Sequence, residues 1–156
     1  MPSHEFNLVT NWHLKAPVAA VWDLLNHPDD WPSWWRAVKR VRRISDGDAN
    51  GVGAVREFTW RTALPYSLSF KMTATRIEPM RLLEGEAKGE LDGRGIWTLR
   101  EMPGGVDVGY QWIVTLQKPW QRAMAPLLRP VFTWNHNVVL GWGEEDINKK
   151  LGIAAG

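Results

Sequence analysis

Apolar and polar positions alternate from the start of the chain: Phe6, Leu8, Thr10, Trp12 and Leu14 stand between Glu5, Asn7, Val9, Asn11 and His13. A period of two predicts a strand with one buried face. Lys15-Ala16-Pro17 ends it. Pro17 suits a first helical position, where a missing N–H costs nothing, and Val18, Val21, Trp22 and Leu25 follow at helical spacing, predicting a short amphipathic helix. The segment His27-Pro28-Asp29-Asp30-Trp31-Pro32-Ser33-Trp34-Trp35 breaks it, because each proline disfavours helix in the residue before it. A second brief helical turn carrying the tryptophans is expected there.

The rhythm then changes to extended segments near 37–45, 53–62, 66–78, 81–91, 94–102 and 106–117, separated by Gly, Pro, Asn and Asp. This predicts an antiparallel meander with one dry face and one wet face. Leu68, Phe70, Met72 and Ala74 share one side of their segment, as do Val106, Val108, Tyr110, Trp112, Val114 and Leu116 of theirs. Met102-Pro103-Gly104-Gly105 and Leu91-Asp92-Gly93 are the expected hairpin turns. From Pro119 to Leu151 the period becomes helical, and steps of 100° place Met124, Leu128, Val131, Asn135, Val138, Val139 and Trp142 on one stripe that covers the dry face. Pro126 and Pro130 are expected to kink its first part, or Pro126 to begin the helix proper; Gly141 and Gly143 weaken its second part.

At 156 residues, with no internal repeat or linker, the chain is expected to form a single domain over 1–156. No apolar run approaches the roughly 20 residues that span a bilayer, and Met1-Pro2-Ser3-His4-Glu5-Phe6 has no basic region followed by an apolar stretch. Cysteine is absent, which excludes disulfides, thiolate metal sites and a cysteine nucleophile together. The expected compartment is the cytoplasm. Tryptophan is the anomaly: eleven stand beside four Phe and two Tyr, spread through nearly every segment. Each indole brings a large flat apolar face and one donor that needs an acceptor, a composition suited to an aromatic-lined cavity.

The order strand, two short helices, six-stranded meander and long C-terminal helix resembles the START-like superfamily, also called SRPBCC, of polyketide cyclase/dehydrase and lipid transport type. The residues that carry the resemblance are Ala16-Pro17 with Val21-Trp22-Asp23-Leu24-Leu25, then Trp31-Pro32-Ser33-Trp34-Trp35 and Leu64-Pro65-Tyr66. Further along are Gly89-Glu90-Leu91-Asp92-Gly93-Arg94-Gly95-Ile96-Trp97, Lys118-Pro119-Trp120 and Phe132-Thr133-Trp134-Asn135-His136-Asn137, with Gly143 and Leu151 beyond. The Trp-Asn-His segment is similar to that of one bacterial subgroup. The resemblance implies an α+β helix-grip fold, in which a curved antiparallel sheet of about seven strands wraps around the C-terminal helix. It also implies a deep apolar cavity between them, filled by a lipid, a polyketide or an aromatic compound; no cofactor is expected. The ligand-binding residues expected on that basis are Trp60, Tyr66, Phe70, Met72, Trp97, Tyr110, Trp112, Met124, Leu128 and Asn135. Leu83, Gly85, Ala87, Gly89 and Leu91 give one strand an unusually small inward face, which either leaves room for a ligand or accommodates neighbouring indoles.

The chain holds no assembled catalytic motif. His4, His13, His27 and His136 have no metal-ligand spacing, so no metal site is expected, and the glycines of 89–95 lack the strand-to-helix setting of a phosphate loop. Two catalytic candidates remain, for an alternative function as an aromatase/cyclase-type enzyme. His136 is a candidate acid or base, placed about 100° from the apolar stripe. Arg56 is the candidate carbonyl-polarising group, since the resemblance implies an arginine that holds phenolate or carbonyl oxygens. It enters the cavity if Phe58 and Trp60 share an inward face; in the other register Glu57, Thr59 and Arg61 do. A second alternative is an interaction protein that docks through an exposed Trp31, Trp34 and Trp35 patch. The cations Arg36, Lys39, Arg40, Arg42 and Arg43 fit a sheet edge better than a nucleic-acid surface, because no aromatic platform is interleaved with them. No nucleic-acid partner is expected, and peripheral membrane contact has no support in the pattern.

Overall fold

The computed structural model describes residues 5–63, 65, 67–89, 92–116 and 118–152. Strand β1 (Glu5–Leu14) leads into α1 (Val18–Leu25) and a 3-10 turn, η1 (Pro28–Ser33). The meander follows as β2 (Val38–Ser45), β3 (Val55–Arg61), β4 (Ser67–Glu78), β5 (Leu82–Gly89), β6 (Asp92–Met102) and β7 (Gly105–Thr115). A five-residue helix α2 (Pro119–Ala123) then precedes α3 (Ala125–Leu151). All seven strands form one antiparallel sheet in the order β1-β7-β6-β5-β4-β3-β2. The first strand closes onto the last, while β2 is left at an edge carrying Lys39, Arg40, Arg42 and Arg43, charges that deter edge-to-edge pairing. The helix-grip architecture expected from the sequence is the one observed.

Local details differ from the expectation where backbone geometry decides. Pro17 is the N-cap of α1, not its first residue, and its carbonyl accepts from Ala20 and Val21 N–H. Asp92 and Gly93 belong to β6, opposite Thr115 and Val114, and not to the expected turn, whose Leu91 lies outside the described residues; Gly89, with φ of 141°, ends β5. A Cβ on Gly93 would stand 2.0 Å from the Ile113 carbonyl oxygen, so the glycine is there for close strand approach. Pro126 begins α3 anew just after α2, and Pro130 lies within α3, which continues through it. The buried side of α3 runs through Ala125, His136, Val139, Leu140, Gly143 and Ile147. The predicted stripe is therefore rotated, and His136 stands in the core-facing row.

Two clusters share the inner face of the sheet. One gathers Trp12, Trp22, Trp31, Trp34, Trp35 and Trp97 between α1, η1 and the far half of α3. The other packs Phe6, Leu8, Trp112, Val114 and Leu116 under Ala125, Leu128 and Phe132. Trp35 is central to the first: its ring centroid lies 5.9 Å from Trp12, 5.1 Å from Trp60 and 6.1 Å from Trp97, mostly edge-on, the geometry aromatic quadrupoles favour. Trp31, Trp34 and Trp35 are all buried, which overturns the expectation of an exposed docking patch at these residues. Burial of indoles demands acceptors, and α3 supplies two: Trp12 Nε1 donates to the Leu140 carbonyl and Trp35 Nε1 to that of Val139, both at 3.1 Å. Trp31 Nε1 donates to the Leu24 carbonyl at 3.0 Å.

Candidate functional site

Between the sheet and its helices lie two apolar lobes. The first, 110 Å³, is bounded by Leu25 and Pro28, by Trp31 of η1, and by Arg56, Phe58, Met72, Ala74, Leu83, Gly85, Gly95 and Trp97 of the sheet. The second, 80 Å³, lies against α3 and is bounded by Leu8, Leu68, Trp112, Val114, Phe132, Asn135, His136 and Val139. Trp60, Phe70 and Tyr110 line both, forming a waist between them. Alternation builds these walls. Even-numbered residues of β3, of β4 as far as Ala74 and of β7, and odd-numbered residues of β5 and β6, turn inward, and the small residues Gly85, Ala74 and Gly95 leave the space.

The register of β3 settles which of its faces is inside. Arg56, Phe58 and Trp60 point inward, so the guanidinium of Arg56 enters the edge of the first lobe. It is already occupied: Nε donates to Asp29 Oδ1 at 2.9 Å, and Arg43 pairs with the other oxygen of the same carboxylate. Burial alone would raise the Asp29 carboxyl pKa; hydrogen bonds and charge from Arg56 and Arg43 outweigh it and hold the group below its ordinary value. Two more arginines of the 36–43 run are spent in the same way. Arg36 grips Asp146, with Nη2 to Oδ1 and backbone N to Oδ2 both 2.8 Å, and Arg42 meets Glu57 at 3.1 Å.

The second lobe is the more polar. His136 Nε2 and Thr10 Oγ1 share a hydrogen bond of 2.8 Å, and the imidazole stacks on Tyr110 with ring centroids 6.0 Å apart. Burial lowers the His136 pKa to about 4, so the ring is neutral at physiological pH. Burial also raises the Tyr110 phenol, which stays protonated. Asn135, placed by the sequence on the apolar stripe, accepts from the Ala63 N–H through Oδ1 at 2.6 Å. That bond ties the β3 to β4 connection to α3 and satisfies the amide oxygen.

Of the expected ligand-binding residues, Trp60, Phe70 and Tyr110 form the waist, Met72 and Trp97 line the first lobe, and Trp112 and Asn135 line the second. Leu128 packs in the cluster beneath the second lobe without lining it. Met124 caps the junction of α2 and α3 and faces outward, and Tyr66 lies outside the described residues. Arg56 and His136 are both at the cavity but in different lobes. The sequence reading missed Trp31, Phe58 and Phe132, and an apolar residue beside a proline-broken turn was the available signal for the first. Among the described residues no group of three His, Cys, Asp or Glu could hold a metal ion, and no helix is long and apolar enough to cross a membrane.

This arrangement has relatives. A family model described as polyketide cyclase / dehydrase and lipid transport matches residues 6–141. The chain belongs to that family. No curated protein sequence matches it. Among solved structures, the di-domain aromatase/cyclase StfQ from the steffimycin biosynthetic pathway is similar at 14% identity over 97% of this chain, with a TM-score of 0.73. The present chain spans 53% of that protein, about half its length. The Zhui aromatase/cyclase from Streptomyces sp. R1128 is similar at 10% identity, covering 94% of this chain and 93% of that one, with a TM-score of 0.73. A ginseng major latex-like protein from Panax ginseng aligns at 11% identity over 86% of this chain and 97% of that one, TM-score 0.63. At such identities the likeness is one of fold. Family and cavity together support a domain that binds a hydrophobic small molecule.

Proposed function

We propose that this polyketide cyclase/dehydrase and lipid transport family member holds a ring-containing apolar molecule lying across the Trp60, Phe70 and Tyr110 waist. The carrying observation is the size and sharing of the lobes. Each is smaller than the roughly 150 Å³ dry cavity that takes up benzene, so a ligand of more than one ring has to occupy both. Flat aromatic walls reward a flat ligand, and the Tyr110 hydroxyl and the amide of Asn135 offer polar contacts for an oxygen substituent. An aromatase/cyclase-type reaction asks for more. It needs an acid or base and a carbonyl-polarising group converging on one atom, whereas Arg56 is paired with Asp29 and His136 is a weak base in the other lobe. Binding without chemistry is the reading that the geometry favours.

The test is a thermal shift series with a naphthol, palmitate and a diacyl phosphatidylcholine. At about a hundred times its Kd a ligand adds about 2.7 kcal/mol, a rise in Tm of about 5–10 °C for a domain this size. The naphthol is expected to give the rise, and Ala74→Leu, which fills the first lobe, to abolish it while the free protein stays folded. No rise with any of the three, or a rise that Ala74→Leu leaves intact, removes this site from the account.

A further inference from the structure

The face of α3 that turns away from the sheet should be polar, and over its N-terminal half it is not. Trp120 (59% exposed), Met124 (41%), Leu127 (64%) and Trp134 (51%) recur at steps of four, three and seven along α2 and α3. They are four of the eight large hydrophobics exposed among the described residues, and the other four, Val9, Ile44, Met80 and Met102, are scattered over the sheet. Isolated exposed apolar residues need no explanation; a row of them, with both exposed tryptophans, does.

Charge identifies the occupant. From Lys118 to Gly143 the chain has no Asp or Glu, yet it has Lys118, Arg122 and Arg129. Arg36, Arg42, Arg43 and Arg56 each meet a carboxylate, unlike Lys118, Arg122 and Arg129. These three are not matched to one among the described residues: Arg122 donates to the Leu116 carbonyl, and Arg129 lies 5.1 Å over the Phe6 ring. Both contacts anchor the side chains and leave the charges unneutralised. A second copy docking on this strip would bring like charges together with no acid to offset them. Indoles beside unpaired Lys and Arg are instead the composition that settles at the headgroup level of an anionic bilayer.

We infer that the outer strip of α2 and the first half of α3, Trp120, Met124, Leu127 and Trp134, docks this protein on an anionic lipid surface. The opposite side of the same helix, through Phe132, Asn135 and His136, lines the second lobe, so docking sets the bilayer and the cavity on two sides of one helix. Apolar cargo would then pass between them around the α2 to α3 junction. That passage rests on the proposed ligand reading; the docking does not.

Co-sedimentation of the full chain with phosphatidylcholine vesicles, with and without about 30% phosphatidylglycerol, tests it. Binding is expected only with the anionic lipid and is expected to disappear near 0.5 M salt, where the Debye length is only a few Å. Leu127→Gln and Trp134→Gln are expected to weaken it at least tenfold with Tm unchanged. Arg122→Gln should weaken it roughly fivefold, while Val9→Gln, exposed on the sheet, leaves it intact. No sedimentation with anionic vesicles at low salt overturns the inference, as does sedimentation that the strip variants leave unaltered. A concentration-dependent dimer that Leu127→Gln dissolves overturns it too, by giving the strip to a second copy. The naphthol shift, measured on the same variants, separates the two proposals. Its loss with vesicle binding intact strikes the ligand reading alone, and its retention with vesicle binding lost confines the damage to docking.

Discussion

The two halves of α3 are held by opposite means. From Val139 onward the helix is fixed to the tryptophan cluster. Its carbonyls accept two indole N–H bonds, Gly143 lies flush against the rings of Trp12 and Trp35, and Asp146 is gripped by Arg36. From Ala125 to Trp134 its inner side meets a smaller cluster and the second lobe, its outer side is apolar and bare, and its one cation, Arg129, meets no acid among the described residues. The first half therefore has cargo space on one side and an exposed strip on the other, while the second half serves as the anchor. A single helix can do both because its stability is set locally by what each turn packs against.

Gly143→Ala should break the anchor most severely. A Cβ there would stand 2.7 Å from the Trp35 ring and 2.9 Å from that of Trp12, and neither indole can retreat without losing its hydrogen bond to the helix. A loss of about 3 kcal/mol is expected in chemical denaturation. A change under half a kcal/mol would mean that the packing there is loose.

Asp146→Asn comes next, at about 2 kcal/mol, because it replaces a charge-assisted grip by a neutral one at a buried position. Burial alone raises the Asp146 carboxyl pKa, but the hydrogen bonds and charge of Arg36 prevail and hold it below the ordinary value. Its contribution is therefore present above about pH 4, the unfolded value, and lost as pH falls through the lower folded value. In the variant, that acid limb of the stability curve should flatten; an unchanged limb would relocate it to other carboxylates.

His136 marks the joint between the halves. Its folded pKa, lowered by burial to about 4, lies below the unfolded value of about 6.5, so protons bind the unfolded chain more tightly. Stability should be flat above neutrality and fall by about 1 kcal/mol between pH 7 and about 5.5, with most of that slope absent in His136→Gln. Persistence of the full slope in the variant would assign it elsewhere.

The smallest effect has the opposite sign. Gly141, two residues from the anchor glycine, has no heavy atom within 4 Å of where a Cβ would stand. Gly141→Ala should add about 0.5–1 kcal/mol, through helix propensity and a less mobile unfolded chain. One substitution type at two nearby glycines would thus read the packing of the helix directly.

Periodicity determined a great deal. Strand alternation placed Leu68, Phe70 and Met72 on one side of β4 and Gly85 and Ala87 on the inner side of β5, because a two-residue repeat in a half-buried sheet allows only one burial-consistent orientation. The same repeat could not orient β3, where Arg56 and Trp60 on one side compete with Thr59 and Glu57 on the other; pairing with β4 decided that. Helical periodicity found α3 but centred its buried stripe on apolar residues, and so set His136 aside and counted Val138 and Trp142. Tertiary structure rotated the helix, because Gly143 is where two indoles can approach, and steric fit at a missing side chain leaves no hydrophobic signal.

The eleven tryptophans announced an aromatic interior, and their sequence could not say which two would stay outside. Trp31, Trp34 and Trp35 lie in one short segment and are buried because α1, β3 and α3 converge on it; Trp120 and Trp134 face outward because nothing folds over them. The charges divide likewise. Within the conspicuous basic run at 36–43, Arg36, Arg42 and Arg43 become paired with carboxylates brought from residues 146, 57 and 29, whereas Lys118, Arg122 and Arg129 are sparse and stay unmatched among the described residues. Local pattern fixes the element and its inward side; which cation meets an acid, and which indole finds cover, depends on distant segments that only the closed fold brings together.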